Sequence, residues 1–303
     1  MKVKSACSFM RVTGLVTAAF VLLLATAVGL LGSSIGYVQT NLVSNSSATP
    51  ASFTDANLIN PWGNVSNGGS PFWVSDQGTG LSTLYSTPPG TPLSLVVSVP
   101  AVGAPPAVGP TGIVANTTGF DVNGSPAAFI FDTLDGTIAG WNGSPTLTQA
   151  VTEATVPGAV FTGLAEASNA SGTFLYAADF ANNKIDVFNS SYTKVTLAAS
   201  FTDPNLPAGY APYNIQTING NLYVEYAPIG SNGLPVVGPG NGIVDVFDAN
   251  GNFMQRLISN GGALNVPWGI ALAPTNFGVF SNDLLVGNFG NGWINAFDPT
   301  TGG

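Results

Sequence analysis

Phe174–Asn189 reads FLYAADFANNKIDVFN, and its two halves have the character of short strands around a tight turn. Leu175–Ala178 is apolar and small, as a buried strand requires. Asp179 opens an Asn-rich turn, and Ile185, Val187 and Phe188 carry the returning strand. The unit recurs. Asp179 lies nine residues before Phe188, and the same offset separates Asp76 from Tyr85, Asp132 from Trp141 and Asn288 from Phe297. A turn-capping Asp or Asn held at a fixed offset from an aromatic residue is an internal repeat. Strand-built repeats of roughly 40–55 residues point to a β-propeller of four-stranded blades.

Five repeats are visible. Their inner strands are expected at Trp62–Val65, Thr111–Ala115, Thr162–Glu166, Tyr213–Thr217 and Trp268–Leu272. Gly63, Gly112, Gly163, Asn214 and Gly269 hold equivalent places in them, 49, 51, 51 and 55 residues apart. Inner strands crowd near the axis, which gives a glycine there a steric reason. Outer strands are expected at Leu93–Val99, Thr146–Val151, Lys194–Phe201 and Phe253–Ile258. The fourth repeat departs from the pattern: Tyr226 stands where the turn Asp should be, and Phe247 follows 21 residues later. The excess is the Gly- and Pro-rich stretch Ala227–Asn241, either a functional loop or a plain insertion. Tyr37–Val43 is expected as one more outer strand, because SFTDANLINP after it matches the SFTDPNLPAGYAP that follows the outer strand of the third repeat.

Composition narrows the chemistry. Only 7% of the 303 residues are charged, and histidine is absent. Three of the six basic residues, Lys2, Lys4 and Arg11, lie at the N-terminus. Beyond them three cations face fifteen acids, a formal charge of −12. Nucleic acid requires a positive footprint that this chain lacks. Without histidine there is no Ser-His-Asp arrangement, His base or His-ligated metal, and the lone Cys7 lies in the N-terminal segment.

Residues 1–36 have the pattern of an export signal or a membrane anchor, and 37–303 that of the propeller domain. The basic start is followed by the uncharged apolar run Val12–Leu31, expected as an apolar helix. At about 20 residues the run is long for a signal core and just long enough to span a bilayer. Small residues at Gly32-Ser33-Ser34 suit cleavage; retention as a single-span anchor is the alternative. Either places the domain outside the cytoplasm, with membrane contact only through this segment if it is uncleaved.

LYAADFANNKIDVFN at 175–189 resembles an NHL-type propeller repeat. The whole of Tyr37–Gly303 is similar to a family of uncharacterised exported bacterial proteins expected to be six-bladed propellers. The likeness rests on TNLVS at 40–44, DANLINPWG at 55–63, DPNLPAGYAPYNIQ at 203–216 and GNGIVDVFDANGNFMQRL at 240–257. It implies a six-bladed parent truncated in its last blade. The alternative is a five-bladed ring in which Tyr37–Val43 supplies the missing outer strand. NHL-type lyases and calcium-dependent lactonase propellers rely on histidines, which this chain lacks.

The remaining candidate groups are carboxylates and tryptophans. Asp76, Asp132 and Asp179 are expected at one turn of successive blades, with Asp55 and Asp203 in the loops leading into the first and fourth. These five would share one face, where they could hold Ca²⁺ or attract a cationic partner; the competing reading is that each caps its own turn. Trp62 and Trp268, each in a Pro-Trp-Gly, would line a sugar-binding surface or pack between blades. The expected function is a non-catalytic binding or scaffold module for a protein, peptide or carbohydrate. The alternative is a carboxylate- and Ca²⁺-dependent hydrolase or lyase.

Overall fold

The computed structural model describes residues 36–303 apart from 87–89, 106 and 117–118. The expected export segment and its apolar helix lie outside the described residues, save Gly36. Among the described residues there is no α-helix, and one 3-10 turn spans Gly278–Phe280. No helix there is long and apolar enough to cross a membrane.

Five antiparallel sheets follow one another as propeller blades. Blade 1 is Pro61–Val65, Phe72–Asp76, Leu81–Tyr85 and Pro92–Ser98. Blade 2 is Pro110–Ala115, Phe129–Thr133, Thr137–Trp141 and Val151–Thr155. Blade 3 is Phe161–Asn169, Gly172–Asp179, Lys184–Phe188 and Lys194–Val195. Blade 4 is Tyr210–Ile218, Asn221–Pro228, Ile243–Phe247 and Phe253–Ile258. Blade 5 has three strands, Pro267–Leu272, Leu284–Asn288 and Ile294–Phe297.

The register repeats. The second-strand residue of the last pair before the register shifts is Asp76 opposite Pro61, Thr133 opposite Pro110, Asp179 opposite Phe161, Tyr226 opposite Pro212 and Asn288 opposite Pro267. Immediately after that pair every inner strand carries a bulge. A bulge re-aims the side chains within it; the residues inside are the Gly of the repeat and the residue before it in blades 1 to 3, and Tyr213 and Trp268 alone in blades 4 and 5, where Asn214 and Gly269 pair with Glu225 and Gly287.

Counting back from these reference residues gives the blade interfaces. Two and four positions earlier lie Phe131 and Phe129, Ala177 and Leu175, Val224 and Leu222, and Val286 and Leu284, all buried. They pack against the preceding blade, whose residue three positions before its own reference (Trp73, Ile130, Tyr176 or Tyr223) reaches forward to meet them. Trp73 stacks on Phe129 with ring centroids 4.4 Å apart. The hydrophobic core is therefore distributed between blades, and burial of these aromatic and aliphatic chains at about 25 cal/mol per Å² is what holds neighbouring sheets together.

Three expectations need correction. Asp132 does not share the place of Asp76 and Asp179. The turn after blade 2's second strand is one residue shorter, so Thr133 takes that place and Asp132 sits one position earlier, in line with Glu225. The outer strand of blade 2 is Val151–Thr155, not Thr146–Val151, because Thr148–Ala150 is tied to Ser98 of blade 1: Ser98 N donates to Thr148 O at 2.8 Å and Ala150 N to Ser98 O at 3.0 Å. Tyr37–Val43 supplies no outer strand to blade 5. Val43–Ser44 pairs in parallel with Phe53–Thr54, and Asn41 Nδ2 donates to Pro50 O at 3.1 Å, so this stretch is held by its own loop.

Candidate functional site: the aromatic mouth of the propeller

Inner strands begin, and second strands end, at one face of the ring. The first residue of the bulge in each inner strand lies at this face: Trp62, Thr111, Thr162, Tyr213 and Trp268. The residue after the reference position adds Phe180 in blade 3 and Phe289 in blade 5. Together they form an aromatic cluster. Trp62 meets Trp268 and Tyr213 edge-on at 5.3 and 6.0 Å between centroids, and Phe289 at a tilt of 44° and 6.2 Å. Tyr213 meets Phe180 at 5.1 Å and Phe289 at 5.9 Å. Edge-on geometry of this kind adds to the area term. Trp268 is fixed by its indole, whose Nε1 donates to Thr162 O at 2.6 Å across the axis. Behind the cluster an axial cavity of about 390 Å³ is lined by Gly63, Gly112, Leu164, Asn214, Gln216 and Trp268, among others.

Phe180 and Tyr213 are buried, Trp62 and Trp268 half-buried, and Phe289 is 52% exposed. Beside them stands the long connection of blade 4. It bridges Ile229 to Pro235, and its backbone is tied down where Val236 N donates to Pro228 O and Gly238 N to Asn265 Oδ1, at 2.9 and 2.8 Å. Ile229 packs into the aromatic cluster, while Leu234, Val236 and Val237 project outward, exposed. The loop is thus an ordered apolar tongue rising from the same face as the tryptophans.

Each of the five candidate acids has its own partners. Asp55 Oδ1 accepts from Asn57 N at 2.9 Å and its Oδ2 from Tyr85 OH at 3.0 Å. Asp76 is fully buried, with Oδ2 taking Thr83 Oγ1 at 2.7 Å; burial, offset in part by that bond and reinforced by nearby Asp55, pushes its pKa up to about 7. Asp132 Oδ1 accepts from Thr111 Oγ1 at 2.7 Å and Gly112 N at 2.5 Å, and burial pushes it up to about 6. Asp179 holds Asn182 Nδ2 at 2.8 Å and stands 3.8 Å from Lys184 Nζ. Asp203 pairs with Arg256, which also approaches Asp245 at 3.4 Å. Among the described residues no three acidic or sulfur groups come together as a metal cage.

Sequence reasoning passed over four residues of this region. Glu225 is fully buried, accepts from Asn214 Nδ2 at 2.9 Å through Oε2, and is pushed up to about 8 by burial. The long insertion after it hid its alignment with Asp132. Phe180 and Phe289 each follow a turn Asp or Asn by one residue, and Tyr213 follows a proline as Trp62 and Trp268 do. That signal was present in the repeat.

The fold and this face define an all-β propeller with an apolar, aromatic mouth. No protein-family model matches the chain. It is 37% identical over 273 residues to an uncharacterized protein of Acanthamoeba polyphaga mimivirus, covering 85% of this chain and 66% of that protein. A second uncharacterized protein of the same virus is 34% identical over 272 residues, covering 85% of this chain and 70% of its own length. The chain belongs to the family of these uncharacterized mimivirus proteins, and it spans about two thirds of their length. Among solved structures, a chain of a nidogen/laminin complex is similar in fold, with a TM-score of 0.50 at 14% identity, covering 80% of this chain and 76% of that one.

Proposed function

We propose that this chain is an exported, non-catalytic propeller of NHL type, in a ring built for six blades, that binds a protein or peptide partner at its aromatic mouth. The observation that carries the reading is the tongue. Leu234, Val236 and Val237 are held out to solvent by an ordered bridge, beside half-exposed Trp62, Trp268 and Phe289 on one face. Ordered apolar residues exposed together on one face are the mark of an interaction surface, and aromatic anchors carry most binding energy at such sites. The carboxylates support the same conclusion. The carboxylate-dependent alternative needs acids around a common reacting atom, whereas each of the candidate acids here is engaged with its own turn or ion pair. Export is supported by the basic start and apolar run of residues 1–36.

The test is selection of binding peptides from a displayed library on the wild-type protein, with a glycan array run in parallel. The selected peptides are then titrated against Leu234→Asp/Val237→Asp and Phe289→Ala. Loss of an anchor contact of about 2 kcal/mol corresponds to a roughly 30-fold weaker Kd. Peptides that bind both variants as tightly as wild type would sink the assignment, as would glycans alone binding this face.

A further inference from the structure

A pocket of about 180 Å³ opens at the mouth between Trp62, Trp268 and Phe289, and is lined also by Gly269, Asn60 and Asn288. The planes of Trp268 and Phe289 lie at 80° and 44° to that of Trp62, so a group in the pocket meets rings from different sides. Trp268 is held at two points. Its indole Nε1 donates to Thr162 O at 2.6 Å, and its backbone O accepts from Asn214 Nδ2. This part of the wall is in place before anything binds, which reduces the ordering that binding requires.

Gly269 is unlike the other inner-strand glycines. In blades 1 to 3 that glycine abuts the next blade. A Cβ on Gly63 would lie 2.7 Å from Thr111 O, one on Gly112 2.7 Å from Leu164 Cβ, and one on Gly163 2.9 Å from Asn214 Cα. A Cβ on Gly269 would meet nothing within 4 Å among the described residues, and its φ is not in the left-handed region. Neither crowding nor backbone conformation calls for a glycine there. What its lone hydrogen leaves is room on the pocket wall.

The pocket's open polar atom is an acceptor. Asn60 Nδ2 donates to Gln77 Oε1 at 2.7 Å, and Asn60 Oδ1 accepts from no residue among those described. Asn288 is engaged on both sides, its Oδ1 by Asn265 N and its Nδ2 by Ala263 O, each at 3.0 Å. Charge then selects the occupant. Residues 37–303 carry three cations against fifteen acids. Lys184 and Lys194 pair with Asp186, Arg256 pairs with Asp203 and approaches Asp245, and none of the three lines the pocket. A chain at −12 draws cations toward it, and the faces of aromatic rings hold them. An ammonium group is strongly hydrated and has three hydrogens to place, where the pocket offers one open side-chain acceptor. A guanidinium is planar, more weakly hydrated and stacks on aromatic faces.

We infer that this pocket takes an arginine side chain of the polypeptide bound at the mouth. Its guanidinium lies against Trp62, Trp268 and Phe289 and gives one N–H to Asn60 Oδ1. The inference rests on the mouth being the interaction face and adds the chemistry that the partner presents there.

The probe is a displayed library of random dodecapeptides selected on the full chain. The selected peptides should share one arginine. Resynthesised with citrulline at that position, which keeps the shape and loses the charge, they should bind about tenfold more weakly, and with lysine at least about threefold more weakly. Gly269→Val puts a side chain into the pocket; it should keep the melting temperature and bind arginine and citrulline forms alike. Phe289→Ala, at a half-exposed ring, should narrow the same ratio and serves if Gly269→Val unfolds. Peptides that depend on Leu234 and Val237 but share no arginine, or bind as tightly in the citrulline form, would overturn the inference and leave the mouth as the interaction face. Lysine forms as tight as arginine forms would overturn it too, as would an arginine preference that survives both substitutions. A library that yields no binder would overturn this inference and the reading it rests on.

Discussion

Glu225→Gln isolates one electrostatic cost buried in the fold. The carboxyl is fully buried; Oε2 accepts one hydrogen bond from Asn214, and Oε1 has no hydrogen-bond partner among the described residues. Burial lifts its pKa from 4.5 to about 8. Between those values the folded protein keeps the proton and the unfolded chain has lost it. Stability from this group is therefore fully present below about pH 4.5 and drains as pH rises, levelling off above about 8. Each unit is worth about 1.4 kcal/mol, so the full window is on the order of 5 kcal/mol, and water entry or relaxation would reduce it to roughly 2. Gln has the same shape, cannot ionise, and keeps an acceptor for Asn214. Urea unfolding should find variant and wild type within about 1 kcal/mol at pH 5, with the variant more stable by roughly 2–4 kcal/mol at pH 8.5. Asp76, Asp132 and Asp245, raised to about 7, 6 and 7, titrate in both proteins and cancel in the difference. A difference that does not change with pH, or a wild type that gains stability from pH 5 to 8, would refute the argument.

Two further outcomes are expected. Tyr176→Phe removes the hydroxyl that donates to Ala249 O at 2.7 Å across the interface of blades 3 and 4, and should cost about 1 kcal/mol in urea unfolding, with a larger loss pointing to a wider network. Calcium at millimolar concentration should leave the melting temperature unchanged, because Asp55, Asp76, Asp132, Asp179 and Asp203 are each held by separate partners; a rise that grows with the logarithm of calcium would show a site that those partners do not preclude.

Much of this architecture was legible in the sequence because each blade repeats a local pattern. The hairpins around Asp76, Asp179 and Asn288 follow from turn chemistry and alternation alone, and the third strands of blades 1 to 4 fall where the pattern puts them, at Leu81–Tyr85, Thr137–Trp141, Lys184–Phe188 and Ile243–Phe247. What failed depended on distant contacts. The one-residue slip at Asp132 arises because a shorter turn and an unchanged offset compensate each other, and no periodicity shows that. The outer strand of blade 2 starts late because Ser98, some fifty residues earlier, holds the chain before it. The mouth was half visible. Trp62 and Trp268 stood out by their Pro-Trp-Gly, yet their meeting with Tyr213, Phe180 and Phe289 depends on bulges that only the register discloses.

The forward- and back-reaching positions of one blade lie on the same second strand, a residue apart. Every repeat therefore carries both a plug and a socket, and neither is specific to a place in the order. Duplicating such a unit in the gene adds an interface already matched to its neighbours on either side. The number of blades is then limited by closure of the circle and not by the sequence of any one blade, so relatives are free to differ in length by whole repeats while each junction stays the same.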